Sequence, residues 1–225
     1  MEGKVMPPEI WAIWPSANPE LADAAAKLWK EAGYKTAVLI DKGVEAPQEP
    51  HRTIIGGEWK GFPDAINRLC REVPGEVVVC IGDDIHPPQE ETPAVIYDKF
   101  RERFPDWFGV MQPTGDRFGS IDLCCPCPWV GRRFIEEAYK GKGPYWPGYF
   151  HYFSDQEIQD AAILLGAFQQ RSDLTQYHDH WQRDRGKRPV HLGEALKHHR
   201  KDKVLYAIRK RANFPGHKRE NNGLA

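Results

Sequence analysis

Through the first half of the chain, short β-rich runs alternate with helix-length apolar stripes. This alternation restricts the fold more than any single motif does. Ile10 to Trp14, Lys35 to Ile40, Thr53 to Ile55, Glu76 to Ile81 and Phe108 to Met111 read as strands. Between the first two, Asn18-Pro19-Glu20 opens a helix whose apolar stripe is Leu21, Ala24, Ala25, Leu28, Trp29 and Ala32, and Gly33 closes it. Further helices are expected from Phe62 to Val73 and from Thr92 to about Phe104. Strand, helix, strand succession implies parallel pairing in an α/β sheet, and 225 residues at 40% hydrophobic content suffice for one substantial core.

Open α/β sheets bind ligands beyond the carboxyl ends of their strands. The residues that follow each strand are therefore informative: Pro15-Ser16, Asp41-Lys42, Gly56-Gly57, Gly82-Asp83-Asp84, and Gln112 to Asp116. All are polar or turn-forming and would collect on one rim.

The second half is less regular. Leu123 to Trp129 reads as a strand and Arg132 to Lys140 as a helix. Gly141 to Tyr152 forms a Gly, Pro and aromatic loop, and Ser154-Asp155-Gln156-Glu157 opens a helix ended by Gly166. From Val190 to Arg211 the pattern is that of a solvated basic helix or helix pair. Charge divides the chain: residues 1–182 carry 18 Lys/Arg against 28 Asp/Glu, and 183–225 carry 13 against 4. We divide it accordingly into a body, 1–182, and a basic helical extension, 183–225. No apolar run approaches the roughly 20 residues of a membrane helix, and the start lacks a signal-like stretch, so a cytoplasmic protein is expected, in the host cytoplasm if the source is viral.

Asp83 and Asp84 are adjacent carboxylates after an apolar strand. A hard divalent cation with diphosphate oxygens is one reason to bring them together; a solvated turn is the other reading. Asp155 either supplies a base or caps its helix, with Glu157 beside it. His178 and His180 flank Asp179, so on an extended segment both imidazoles face one side. Cys124, Cys125 and Cys127 suggest zinc by spacing, but a structural zinc site needs four ligands and no second pair exists, which favours packing thiols. Tyr145, Trp146 and Tyr149 offer faces for an acceptor to stack on, or a small aromatic core.

Several of these segments form an ordered series. Gly61-Phe62-Pro63-Asp64-Ala65-Ile66-Asn67, followed by a strand and Gly82-Asp83-Asp84, resembles the Gly-x-x-x-Ala-x-Asn helix and Asp-rich strand end of GT-A glycosyltransferases. Pro126 with Val130-Gly131-Arg132 continues the likeness, Phe153 to Glu157 is similar to the acidic motif of inverting members, and His178-Asp179-His180-Trp181 to a late metal-binding histidine. The likeness covers roughly residues 9 to 181. It departs from the common Asp-x-Asp, because Gly82 stands where the first Asp would fall.

The resemblance implies a GT-A, Rossmann-like, mixed and mostly parallel sheet flanked by helices. It implies a nucleoside-diphosphate sugar donor, a UDP-sugar first, and Mn²⁺ or Mg²⁺. Pro15, Ser16 and Asp41 would border the nucleoside and Asn67 would lie near the nucleotide. Asp84 would be the principal metal ligand with Asp83 beside it, and His178 or His180 would complete the set. Asp155 would be the base, with Glu157 its substitute. Asp116 and Arg117 would reach sugar or diphosphate, or form a loop ion pair. Small enzymes of this kind in bacteriophages glycosylate hydroxymethylated bases in DNA, and the basic extension suits such an acceptor; a protein, glycan or glycolipid acceptor is the alternative. The rival readings are a nucleotidyltransferase, although Pro15-Ser16-Ala17-Asn18 lacks the usual Gly-rich basic loop, and a noncatalytic zinc-containing nucleic-acid binder.

Overall fold

In the computed structural model, which describes residues 9–119, 123–183 and 189–217, the apolar runs pair as one sheet. Its strands are β1 (Ile10–Ser16), β2 (Lys35–Ile40), β3 (Arg52–Ile55), β4 (Val77–Cys80), β5 (Val110–Pro113), β6 (Trp129–Gly131) and β7 (Phe168–Arg171). The order is β3-β2-β1-β4-β6-β5-β7. Parallel pairing holds from β3 to β4 and again between β5 and β7, whereas β6 runs antiparallel to both β4 and β5. The rim at the ends of β1, β2, β4, β5 and β7 therefore also receives the turn that leads into β6.

Period-two alternation explains why both faces are covered. On β1, Trp11 and Ile13 join one apolar cluster while Ile10, Ala12 and Trp14 join the other. The first cluster lies under α2 (Phe62–Glu72), α4 (Arg132–Glu137) and α5 (Ser154–Leu164), with Ile66, Leu69, Phe134 and Ile158; the second lies under α1 (Pro19–Glu31) and α3 (Pro93–Arg103), with Trp29, Ile96 and Phe100. The Asn18 carboxamide oxygen caps α1 by accepting the Glu20 and Leu21 N–H groups, and Gly33 continues from it at φ +91°.

The structure corrects or decides four points of the sequence reading. Residues 123–128 are not a strand: Pro126 and Pro128 cannot donate to a ladder, and only Trp129–Gly131 pairs. The polar edge strand β7 was not foreseen, because its Gln169 and Gln170 carry no apolar alternation. Tyr145 and Tyr149 are buried at 1% exposure, so the aromatic loop forms a small core.

The fourth concerns the extension. Among the described residues it holds one helix, α6 (Val190–Arg211), whose inner face is not solvated: Ala195, Asp202 and Arg209 are buried. Arg209 grips the equally buried Glu157 of α5, with Nε 2.9 Å from both carboxylate oxygens. The Tyr139 and Tyr149 hydroxyls donate to the same carboxylate at 2.7 and 2.6 Å. Glu157→Ala would leave the guanidinium buried without its counter-charge and should cost roughly 3–5 kcal/mol. A lower midpoint in urea denaturation checks this. Arg185, Lys187, Arg188, Lys218 and Arg219, which carry much of the basic charge, lie outside the described residues. No helix among the described residues is long and apolar enough to cross a membrane.

Candidate active site

The end of β4 leads into Gly82-Asp83-Asp84-Ile85, and the neighbours of this loop fix its shape. The Ser16 hydroxyl, at the end of β1, donates to Asp83 Oδ2 at 2.6 Å. The Trp29 indole N–H donates to the Ile85 carbonyl at 2.8 Å. On the far side Ile85 bridges to His178 in antiparallel fashion, with the Asp179 N–H on the Asp84 carbonyl at 2.8 Å and the His86 N–H on the Tyr177 carbonyl at 2.9 Å. That backbone pairing brings His178 Nε2 to 3.1 Å from Asp84 Oδ2. Burial opposes charge on Asp84, yet the hydrogen bond and the charge of His178 overcome it and hold the carboxyl below the usual aspartate range.

Gly82 has a local reason to be glycine. A Cβ there would stand 2.7 Å from Asp84 Oδ1, so any side chain displaces the Asp84 carboxylate. Gly82→Ala should leave thermal stability nearly unchanged, because a flexible side chain can move aside, while weakening any metal-dependent ligand binding that the Asp84 carboxylate supports. Titration of the variant with Mn²⁺, followed by thermal shift, checks it.

The His178 and His180 ring centroids are 4.8 Å apart, but the segment is not an extended strand: the His180 N–H turns back to the His178 carbonyl at 2.7 Å, and that tight turn brings the rings together. Burial, and then the nearby His178, holds His180 below the ordinary imidazole range, which favours the neutral form a metal ligand needs. The segment is pinned by two residues. Asp116 Oδ2 accepts the His178 N–H at 3.2 Å and the Arg183 guanidinium, and Arg183 Nε donates to the His178 carbonyl at 2.6 Å. The guanidinium is sandwiched 4.1 Å from the Phe118 ring and 4.5 Å from that of Tyr177. Asp116 thus holds the histidine segment through an ion pair. Arg117 is exposed, with φ +53°.

Asp155 lies in the first turn of α5. It is half-buried; its Oδ1 accepts the Gln156 N–H at 3.0 Å, and the Cys124 thiol hydrogen-bonds its carboxyl. Burial outweighs these contacts and raises Asp155 above the usual aspartate range. Burial pushes the Cys127 thiol up, and the carboxylates of Asp84, Asp116 and Asp155 add to the effect. The residue before Ser154, Phe153, begins the helix at φ +66° without a side-chain cap, and the Ser154 hydroxyl donates to the His151 carbonyl at 2.9 Å.

The other expected residues divide between the rim and the interior. Pro15 and Asp41 are half-buried at the ends of β1 and β2. Asn67 is buried, with Nδ2 donating to the Tyr145 carbonyl at 2.8 Å and Oδ1 accepting the Tyr145 N–H at 3.1 Å, so both ends of its amide hold the aromatic loop. Glu157 is enclosed by Arg209 and the two tyrosines. Sequence reasoning missed Arg183, Cys124 and Phe118. Arg183 carried one signal, its place two residues after Trp181, and was read as the start of the extension.

Asp84 and His178 fit a divalent cation as far as donor chemistry goes. They pair one carboxylate with one imidazole on a rim of strand ends, and the remaining coordination positions suit phosphate oxygens and water. Among the described residues no three His, Cys, Asp or Glu side chains enclose a metal by themselves.

No protein-family model and no curated protein sequence matches the chain. Among solved structures it is similar to the mannosyltransferase PcManGT from Pyrobaculum calidifontis in complex with GDP-Man and Mn²⁺. The TM-score is 0.55 at 13% identity, covering 94% of this chain and 73% of that one. HddC from Yersinia pseudotuberculosis complexed with GMP-PN follows at TM-score 0.45 and 13% identity, covering 76% and 93%. The first likeness defines the fold class: α/β, Rossmann-like, a mostly parallel seven-stranded sheet of the GT-A kind flanked by helices.

Proposed function

We propose that this chain is a glycosyltransferase that moves a sugar from a nucleoside-diphosphate donor to a hydroxyl acceptor with inversion. The observation that carries the reading is the Asp84 and His178 contact at the end of β4; the raised carboxyl of Asp155, on the first turn of α5, supports it. Asp84 and His178 would hold Mn²⁺ or Mg²⁺, with His180 beside them, and such a cation offsets the charge on a departing nucleoside diphosphate. Asp83, through Ser16, would shape the nucleotide side together with Pro15 and Asp41. Asn67 would act indirectly, by holding the loop at Tyr145, and Arg117 is free to approach the diphosphate. Asp155 would take the acceptor hydroxyl's proton as its oxygen attacks the anomeric carbon and the bond to the diphosphate breaks. A carboxyl raised toward the working pH is better suited to that task than an ordinary aspartate.

The likeness to a mannosyltransferase bound to GDP-Man and Mn²⁺ supports this class and widens the donor panel beyond UDP-sugars. For the acceptor, 5-hydroxymethylated DNA is the first case to test, because Arg200, Lys201, Lys203 and Arg211 are exposed along α6.

Thermal shift against UDP- and GDP-sugars, with and without Mn²⁺, tests the donor: a ligand at about 100 times its Kd adds roughly 2.7 kcal/mol. Absence of any stabilisation across the panel would overturn the reading. Pyrophosphate release from a nucleoside triphosphate and a sugar 1-phosphate would instead identify a nucleotidyltransferase. Unchanged nucleoside masses after incubation of hydroxymethylated DNA with every binding donor would exclude the DNA acceptor.

A further inference from the structure

The helix that the sequence presents as a basic tail holds the chain on both sides of Asp155. Asp202 of α6 is fully buried, and its carboxylate accepts three successive backbone N–H groups: Phe150 on Oδ1 at 3.1 Å, and His151 and Tyr152 on Oδ2 at 3.0 and 3.1 Å. A buried carboxylate is stable there because those donors satisfy it. The segment then passes through Phe153, whose left-handed backbone an L residue keeps only where its surroundings impose it. Asp155 follows two residues later. On its other side, Glu157 is gripped by Arg209, seven residues along α6 from Asp202 and so on the same helical face. Arg209 is fixed in its turn by the Pro215 carbonyl at 3.1 Å and by the Trp146 ring, 3.8 Å away.

We propose that Asp202 and Arg209 are positioning residues for Asp155, so that α6 completes the acceptor side of the transfer site. This rests on the reading of Asp155 as the base. Two buried charges on one helix face are a poor device for stability alone, since apolar packing commonly serves as well. Their common target is the backbone immediately before Asp155 and the helical turn that contains it. Displacing a reacting group by about 1 Å can lower a rate roughly 100-fold. The clamp acts on that geometry, while the donor is bound through the β1 and β4 ends on other elements.

The test uses the full chain with Asp202→Asn, and with Arg209→Lys as a second variant that keeps the charge but loses the fork. Both are compared with wild type and Asp155→Asn. Donor and Mn²⁺ thermal shifts, kcat and KM are measured, and the Asp155 carboxyl carbon is titrated by NMR. Positioning predicts unchanged donor KM and thermal shift, kcat lower by about 10- to 100-fold, a displaced pH profile and a moved Asp155 titration. Full turnover and an unmoved titration in folded variants would overturn it. If Asp155→Asn itself turns over normally, the base reading has failed. If Asp155→Asn is dead while both α6 variants are fully active, the positioning proposal alone has failed. Should Asp202→Asn not fold, Arg209→Lys decides by the same readouts.

Discussion

Asp84→Ala is expected to abolish the Mn²⁺-dependent stabilisation of the protein by a nucleoside-diphosphate sugar. In the proposed site Asp84 would supply the carboxylate of a two-donor set, and its removal would leave His178 as the lone first partner, with His180 at a ring distance of 4.8 Å. One neutral imidazole is a weak anchor for a hard cation that prefers oxygen. The whole stabilisation should therefore vanish, roughly 2.7 kcal/mol at about 100 times the wild-type Kd. The fold should tolerate the change, because the loop is also held by Trp29 on Ile85, by Ser16 on Asp83 and by the backbone pairing with residues 177–179. Calorimetric titration with Mn²⁺ and donor, alongside thermal shift, measures the effect. An Asp84→Ala protein with an undiminished metal-dependent shift would remove Asp84 from the site. Ser16→Ala, which frees Asp83 and loosens the Asn18 turn but leaves Asp84 and His178 in place, should weaken donor binding less.

The sheet was legible because its strands are short, apolar and bounded by turn residues, and because parallel strands buried on both faces leave near-continuous apolar runs such as Val77-Val78-Val79-Cys80. What was not legible depended on partners distant in sequence. Nothing local in Trp129-Val130-Gly131 says that it runs antiparallel between β4 and β5; only the register with Val77 to Val79 and with Val110 decides it. The same holds for α6. Asp202 and Arg209 look solvated until Phe150 to Tyr152 and Glu157 are brought against them, 50 or more positions away in the chain.

For the site, the rim rule anticipated where the strand-end residues gather, whereas His178 and His180 come together through a tight turn and not through the alternation of an extended strand. Asp116 shows the limit of such reasoning. A charged residue after a strand on the binding rim reads equally as ligand contact or loop ion pair, and its burial at 5% with Arg183 could not be inferred without the fold. Glu157 is similar: its position on the first turn of α5 marks it as a candidate base, while Tyr139, Tyr149 and Arg209 fill its coordination. Gly82 works the other way. As a motif it was a missing aspartate, and in space it is the gap that the Asp84 side chain occupies.

Asp155→Asn should spare donor binding and lower transfer by about 10²- to 10⁴-fold, the range of general-base contributions. That corresponds to roughly 3–5 kcal/mol on the barrier. The asparagine keeps an oxygen for the Gln156 N–H and nearly the same volume, so the lost element is the ability to take a proton. The substitution should also change stability in a direction opposite to activity. Because burial raises Asp155, the folded protein binds more protons than the unfolded chain between the ordinary aspartate pKa and the raised one. Wild-type stability therefore falls as pH rises through that window and stays lower above it. A neutral asparagine escapes this penalty, so the variant should melt higher than wild type at neutral pH, and the difference should shrink below the ordinary aspartate range. Melting curves from acid to neutral pH without donor separate the two effects: normal turnover would sink the base assignment, and a variant less stable at neutral pH would sink the electrostatic explanation. Together, lost transfer and gained stability would mark Asp155 as a carboxylate kept in an unfavourable place for its chemistry.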